Sequence, residues 1–460
     1  MKRFVSLFLA LLLSFAVRAQ QSYDGSWGGD LIVQGTKLPL VFNISGGRAT
    51  IDSPAQGAMG IPVTSVVYAD GAVTITAEDL AMTFTGSMIN DSCIAGIFSQ
   101  GGFSMPMTLR RCEPAVQRRP QEPQPPYPYR VEEVEFASAA EGIVMHGTLT
   151  LPDDDGCHCG VVLVTGSGTQ NRDEEIFGHK PFRLIADRLT RAGIAVLRYD
   201  DREFTTGRYD GATTLDYAAD ALRAVEYLRS RPEVDAGRVG VIGHSEGGTI
   251  AFICAAEDPE IAFIVSLAGM TVTGAECSLA QNRRNLEVGG AMTGIAEDIY
   301  AAVGELFESI KGLTATEIRA DAERLTERAV SRAKHPEAIG VVREALLKSL
   351  DGMSEWLAFF IGYDPAGSIS KVGCRVLALN GEKDMQVSAD ENLGRLHTFA
   401  NLDGLLETHK LEGLNHLFQH CTSGAVTEYP LIEETFAEEV LTMIVGWISD
   451  VASAGGSRLP

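Results

Sequence analysis

Apolar and polar positions alternate with period two along the first quarter of the chain, and further on they do not. From Ser22 to Cys112, the runs SWGGDLIVQGTKLPLVFNISGG, AVTITAEDLAMTFTGSM and IAGIFSQGGFSMPMTLRRC set apolar side chains on one face, with Gly, Asp or Asn at the breaks. This predicts a small all-β domain over residues 20–112, a sandwich or a barrel. Trp27, Phe42, Phe84, Phe98 and Phe103 fall in it, either as its core or as a sugar-stacking face. Residues 113–130, EPAVQRRPQEPQPPYPYR, follow. Their prolines cannot donate to a ladder and hold the chain extended, so the segment reads as a semi-rigid linker.

From Val131 the period changes. VEEVEFAS and IVMHGTLTLP read as an opening antiparallel pair. Near-continuous apolar runs then alternate with amphipathic helical stretches: GVVLVTGSG, PFRLIADRLTRAG, IAVLRYD, LDYAADALRAVEYLRSRP, RVGVIGHS and IAFIVSLAG. Strands without polar alternation, separated by helices, predict a doubly wound, mostly parallel sheet covered on both faces, an α/β unit over 131–460. The alternation lapses over 271–367, which is helix-rich and acidic, and resumes with CRVLALNGEKD and LLETHKLEGLNH. A helical insertion in such a sheet is expected to cap the ligand site.

The stretch RVGVIGHSEGGTIAF carries the chemistry. A strand ends in G-H-S-E-G and a helix follows, the setting in which a serine stands on a very tight turn. Gly243 and Gly247 fall where side chains would collide across that turn, and Ser245 is lifted to the C-terminal edge of the sheet. The N–H of Glu246 opens the helix, where partial positive charge favours an oxyanion. A serine hydroxyl needs a base held by a third group. Asp384 follows the next-but-one strand and His416 the last, so Ser245, Asp384 and His416 are the expected triad; Glu382 and Asp390 are the alternative acids. A second oxyanion donor is expected from VTGSGTQNRDEE, at the N–H of Ser167 or Gly168. Asp173, Glu174 and Glu175 there either orient Arg172 or a substrate cation, or form a solvated acidic turn. His244 is expected to turn back into the sheet or its hydrogen bonds.

Charge and cysteine content narrow the partners. The formal net charge of −23 argues against nucleic acid or anionic lipid. MKRFVSLFLALLLSFAVRAQQ has a basic start, an apolar run and a small-residue cleavage pattern before Gln20, so residues 1–19 are expected to be a Sec signal peptide. The mature chain is then expected to be exported, periplasmic or secreted, with no membrane anchor. Eight cysteines suit an oxidising compartment, and Cys93 and Cys112 could staple the β domain. Cys157–His158–Cys159 and the His416/His420 pair of HLFQH imitate metal ligands. The first lacks zinc-site spacing and the second has Gln419 where the activating glutamate would stand. No metal or cofactor is expected.

Taken together, GSGTQNRDE, LRYDDRE, GHSEGG, WLAFFIGYDPAGSISKVGCRVLALNGEKDMQV and LNHLFQ resemble bacterial serine carboxylesterases of the α/β-hydrolase superfamily, the EstD-like group. The resemblance covers most of 131–460 and leaves the β domain out. It implies nucleophile Ser245, acid Asp384, base His416 and hydrolysis of short-chain esters. The expected partner is a small-molecule ester, an acylated carbohydrate being one candidate. The resemblance also leaves a serine aminopeptidase with the same triad open. A binding module with an inactive hydrolase body is the alternative from outside catalysis. One departure is Glu203, where a glycine is expected after RYDDR; this concerns the shape of a rim loop.

Overall fold

The computed structural model describes residues 22–33, 36–114, 118–209, 211–288, 294–331 and 333–453. The expected signal peptide lies outside them. Among the described residues no helix is long and apolar enough to cross a membrane. The chain divides into two compact units, 1–116 and 117–460.

The first unit is one nine-stranded antiparallel sheet rather than two packed sheets. Its first strand, Gly25–Val33, pairs with the second, Thr36–Ser45, and also with the last, Phe103–Cys112. Phe42 and Phe84 lie on strands far apart in the sheet order, yet their rings are 5.5 Å apart, so the sheet curls over its own apolar face into a half-barrel. Trp27, Phe42, Phe84 and Phe98 fill that interior. Phe103 is 85% exposed, so the five aromatics form no common stacking face. The expected Cys93–Cys112 staple is not formed: Cys93 stands opposite Arg110 in the ladder, Cys112 opposite Ser26, and both are free thiols.

In the second unit we number the strands β1 (Tyr129–Ala137), β2 (Val144–Pro152), β3 (His158–Val164), β4 (Ala195–Tyr199), β5 (Val234–His244), β6 (Phe263–Leu267), β7 (Arg375–Gly381) and β8 (Leu406–Leu411). Their order is β1-β2-β4-β3-β5-β6-β7-β8, with β1 and β2 antiparallel and β3 to β8 mutually parallel. This is the α/β-hydrolase sheet. Helix α1 (Pro181–Arg191) lies over one face with the C-terminal helix Glu438–Ser453; α2 (Thr214–Arg229) and α3 (Glu246–Glu257) lie over the other. Strands β4 and β6 are buried at every residue, which is why they read as unbroken apolar runs. The Asp216 carboxylate accepts from the Thr213 N–H at 2.8 Å and fixes where α2 begins.

Between β6 and β7 the insertion forms α4 (Gly274–Val288), α5 (Gly294–Ile310), α6 (Ala315–Ala320), α7 (Ala322–Val330), α8 (Pro336–Asp351) and α9 (Glu355–Gly362). It has its own core, with Leu306, Ile310, Ile318, Leu325 and Leu350 among its members.

The proline-rich segment is more than a spacer. From Arg118 onward it belongs to the second unit, and β1 starts at Tyr129, two residues before the expected boundary. Arg119 donates to the carbonyls of Phe177 and Ile432 at 2.7 and 3.0 Å. The Gln121 amide donates to the Phe436 carbonyl and accepts from the Thr435 N–H, both at 2.7 Å. Glu122 meets Lys180 and Arg183. Charged and amide side chains between the prolines convert an extended segment into a strap.

Candidate active site

Strand β5 delivers its last residue, His244, to the C-terminal edge of the sheet, and the chain turns at Ser245 into α3. Ser245 sits at φ 55°, ψ −119°, a left-handed conformation that costs a non-glycine residue about 1–3 kcal/mol. The surrounding glycines permit it. A Cβ on Gly243 would lie 1.9 Å from the Gly247 carbonyl oxygen, and one on Gly247 would lie 2.1 Å from that of Val164. The elbow is thus wedged against the end of β3, and the second residue of the β3 loop is close by: a Cβ on Gly166 would come within 3.1 Å of Ser245 Cβ.

His416 and Asp384 arrive on the loops after β8 and β7. Nδ1 of His416 is 2.7 Å from Asp384 Oδ2, and both residues are buried. Asn380 donates to the same oxygen at 3.0 Å, while the Gln386 and Val387 N–H groups donate to Oδ1 at 2.8 and 2.9 Å. The acid is held at both oxygens and its orientation is fixed. The alternatives point elsewhere: Glu382 accepts from the Gly413 N–H and Asp390 from Lys410. The His416 ring lies 4.7 Å, centroid to centroid, from that of His244, the neighbour of Ser245. Ser245, Asp384 and His416 are thus gathered at one edge of the sheet.

Carboxylates pin the β3 loop from several sides. Glu174 accepts from the Gly166 N–H at 2.7 Å. Asp201 accepts from the Thr165 hydroxyl and the Gln170 N–H, both at 2.9 Å, and Asp200 from the Arg172 N–H at 2.7 Å. Burial drives the Asp201 carboxyl well above the usual carboxylate range, against those two hydrogen bonds. Among the described residues no backbone carbonyl accepts from the N–H groups of Ser167, Gly168 or Glu246.

The Glu246 side chain, given no role in the sequence reading, is a junction. Its buried carboxylate accepts from the Thr214 hydroxyl at 2.6 Å and from the Trp356 indole N–H at 2.9 and 3.1 Å, and it also bonds the Ser167 hydroxyl. Burial raises its pKa above the ordinary glutamate value, making the carboxyl a weaker acid. Trp356 lies on α9, so one carboxylate joins the elbow, the β3 loop and the cap. No polar alternation announces Trp356; WLAFF reads as core.

Several expectations change. The acidic residues after Arg172 do not orient it: Arg172 is held by Asp200 and Glu133, Asp173 pairs with Arg198, and Glu174 reaches Gly166 and His244. His244 pairs with Leu267 at the end of the ladder, as expected of a residue in the sheet, while its ring lies under the site, bonded to the His416 carbonyl. HLFQH is a loop, where the i,i+4 spacing puts no two histidines on one face; His420 is exposed beside Glu434 and Glu439. His158 faces the Gly193 carbonyl and Asp154, while Cys159 is buried in the core. Glu203 enters a short helix, Arg202–Thr206, and accepts from the Tyr217 hydroxyl at 2.8 Å, so the rim turns inward where a glycine was expected.

Residues 214–324 match the family described as BAAT / acyl-CoA thioester hydrolase C terminal. Esterase EstD of Thermotoga maritima is 40% identical over 119 residues, 25% of this chain and 26% of that one. The chain thus matches about a quarter of the length of this curated relative, and over that quarter the resemblance to EstD-like esterases is met. Among solved structures, an esterase of Pyrococcus furiosus aligns over 70% of this chain and 91% of its own, at 15% identity and a TM-score of 0.43. An esterase of Pyrobaculum calidifontis aligns over 70% and 85%, at 19% and 0.41.

Proposed function

We propose that this chain is an exported serine hydrolase that cleaves carboxylic esters, short acyl chains preferred, through an acyl-serine intermediate. The observation that carries the reading is the His416–Asp384 pair, buried at 2.7 Å and brought to the edge where Ser245 stands on its strained turn. In the proposed cycle His416 takes the Ser245 proton as Oγ attacks the ester carbonyl. Asp384 holds the imidazole in the productive tautomer and stabilises its charged form. The developing oxyanion is met by the N–H groups of Glu246 and of Ser167 or Gly168, each donor worth about 3 kcal/mol. His416 returns its proton to the leaving alcohol, then activates water against the acyl-serine. The chemistry calls for no metal or cofactor.

The matched thioester-hydrolase family favours a thioester as second substrate class, since the same cycle expels a thiolate. The net charge of −23 weighs against a polyanionic leaving group. The deciding assay compares wild type and Ser245→Ala on p-nitrophenyl acetate, butyrate and octanoate, on acetyl-CoA and on an aminoacyl p-nitroanilide. Ester turnover is expected to fall with chain length and to vanish in the variant. Equal rates on all three esters would remove the short-chain preference, and turnover of the anilide alone would make the protein a peptidase. Export rests on the pattern of residues 1–19. N-terminal sequencing of protein recovered from a Gram-negative periplasm is expected to start at Gln20.

A further inference from the structure

We propose that His244 is a charged positioning residue: an imidazolium that ties the oxyanion loop, through Glu174, to the loop carrying His416. The proposal rests on the serine-hydrolase reading for its catalytic consequence, but its geometry stands independently.

His244 is buried and both ring nitrogens lie against oxygens. Nε2 is 2.9 Å from the backbone carbonyl of His416, and Nδ1 is 2.9 Å from Glu174 Oε1. A carbonyl only accepts, so Nε2 carries a hydrogen. The Glu174 oxygen already accepts from the Gly166 N–H at 2.7 Å, and as a carboxylate it accepts from Nδ1–H as well. Two ring hydrogens make the ring a cation. Burial alone would strip the charge; Glu174 beside the ring, helped by the His416 carbonyl and Asp384, outweighs it and raises the His244 pKa above that of free imidazole. The groups facing the ring are Glu174 from the β3 loop, His416 from the β8 loop and Asp384 from the β7 loop, with the apolar ring of Phe418 beyond.

The two contacts act on different parts of the machine. The carboxylate–Gly166 bond sets the residue just before the two proposed oxyanion N–H donors of the loop. The Nε2 bond sets the backbone of the general base. One ring therefore fixes the distance between the base and the oxyanion donors, a distance no bond within either loop controls. Misplacing either by about 1 Å is enough to cost on the order of 100-fold.

The first test is NMR of ring-15N-histidine protein. A pair of ring N–H protons belonging to one histidine is expected at pH 8, well above the unperturbed value near 6.5, and lost in Glu174→Gln. Absence of any such pair would overturn the charged state. The second test is kinetic, with p-nitrophenyl butyrate. His244→Gln keeps a donor near the Nε2 position and loses Glu174, whereas His244→Asn keeps a donor near Nδ1 and loses the His416 carbonyl. Each is expected to lower kcat about 10- to 100-fold with KM within about twofold. Glu174→Gln combined with His244→Gln is expected to be no worse than the poorer single variant. Losses that multiply, or melting temperatures that fall while kcat holds, would overturn the positioning role. A wild type inert toward every ester would sink the proposed function while leaving the NMR result to decide the ion pair.

Discussion

The two walls of the site are built from opposite materials. The wall formed by the β3 loop is polar and buried, with Glu174, Asp200 and Asp201 each bonded to a particular backbone or side-chain donor. The cap closes on its own apolar core and carries exposed pairs such as Arg324–Asp321 and Arg343–Glu327, with Asp298 a buried carboxylate that accepts from the Lys334 and His335 N–H groups. A buried carboxylate must find its donors in fixed places, because an unmet one is costly. An apolar core keeps its stability through many exchanges of similar volume. The wall that faces the chemistry is therefore intolerant of change, and the wall suited to selecting substrates can drift. Trp356 to Glu246 is where the two are stitched together.

The harshest way to probe the rigid wall is Gly247→Ala, whose new methyl would lie 2.1 Å from the Val164 oxygen. A loss of stability above about 3 kcal/mol and of at least about 100-fold in kcat is expected from melting curves and ester turnover. Near-normal activity would mean that the elbow yields, and the contrast between the walls would fail. Trp356→Phe keeps the ring and removes the donor to a buried carboxylate. The expected cost is about 1–3 kcal/mol, with KM rising more than kcat if the stitch seats the cap. Conversely, a kcat defect at constant KM would place Trp356 with the chemistry.

Acidity separates the walls more gently. His179, at the end of the pinned loop, is buried between the Thr435 hydroxyl and the Tyr429 carbonyl, and burial lowers its pKa to about 4. Its folded value lies below the unfolded one near 6.5, so the unfolded chain binds more protons between the two. The stabilisation is complete above about pH 6.5 and lost as pH falls toward 4. Thermal melts of His179→Gln across this window are expected to fall less steeply than those of wild type; parallel curves would remove His179 as the acid-sensitive point. The smallest effect belongs to the cap surface. Arg343→Ala cuts its pairs with Glu323 and Glu327 and is expected to stay within about 0.5 kcal/mol in urea unfolding. A larger change would show that the cap, too, depends on fixed charges.

This contrast also explains what could be read from the sequence. Strands β3 to β7, the turn at Ser245 and the placement of Asp384 and His416 on loops after strands were legible because each rests on a local rule: buried parallel strands are apolar throughout, a strained turn needs glycine, and loops of an α/β sheet follow strand ends. The joints were not. Glu174 meets His244 across 70 positions and Trp356 meets Glu246 across 110, and no local pattern encodes such pairings. The excess of acidic residues in NRDEE and RYDDRE was the available signal, but it marked that partners exist without saying which. The β domain misled in another way, since period two is the same for a sandwich and for a single sheet curled on itself.

The strap fastens late in synthesis. Gln121 leaves the ribosome early, while its partner Phe436 follows 315 residues later, with the C-terminal helix still to come. N-terminal segments fold first as a chain emerges, at about 5–20 residues per second, so this clasp stays open for tens of seconds or more during synthesis. It can close only after residues 435 and 436 have emerged. A polypeptide that stalls short of residue 435 carries an unfastened strap, so this clasp reports that the second unit has been made as far as its own closing contact.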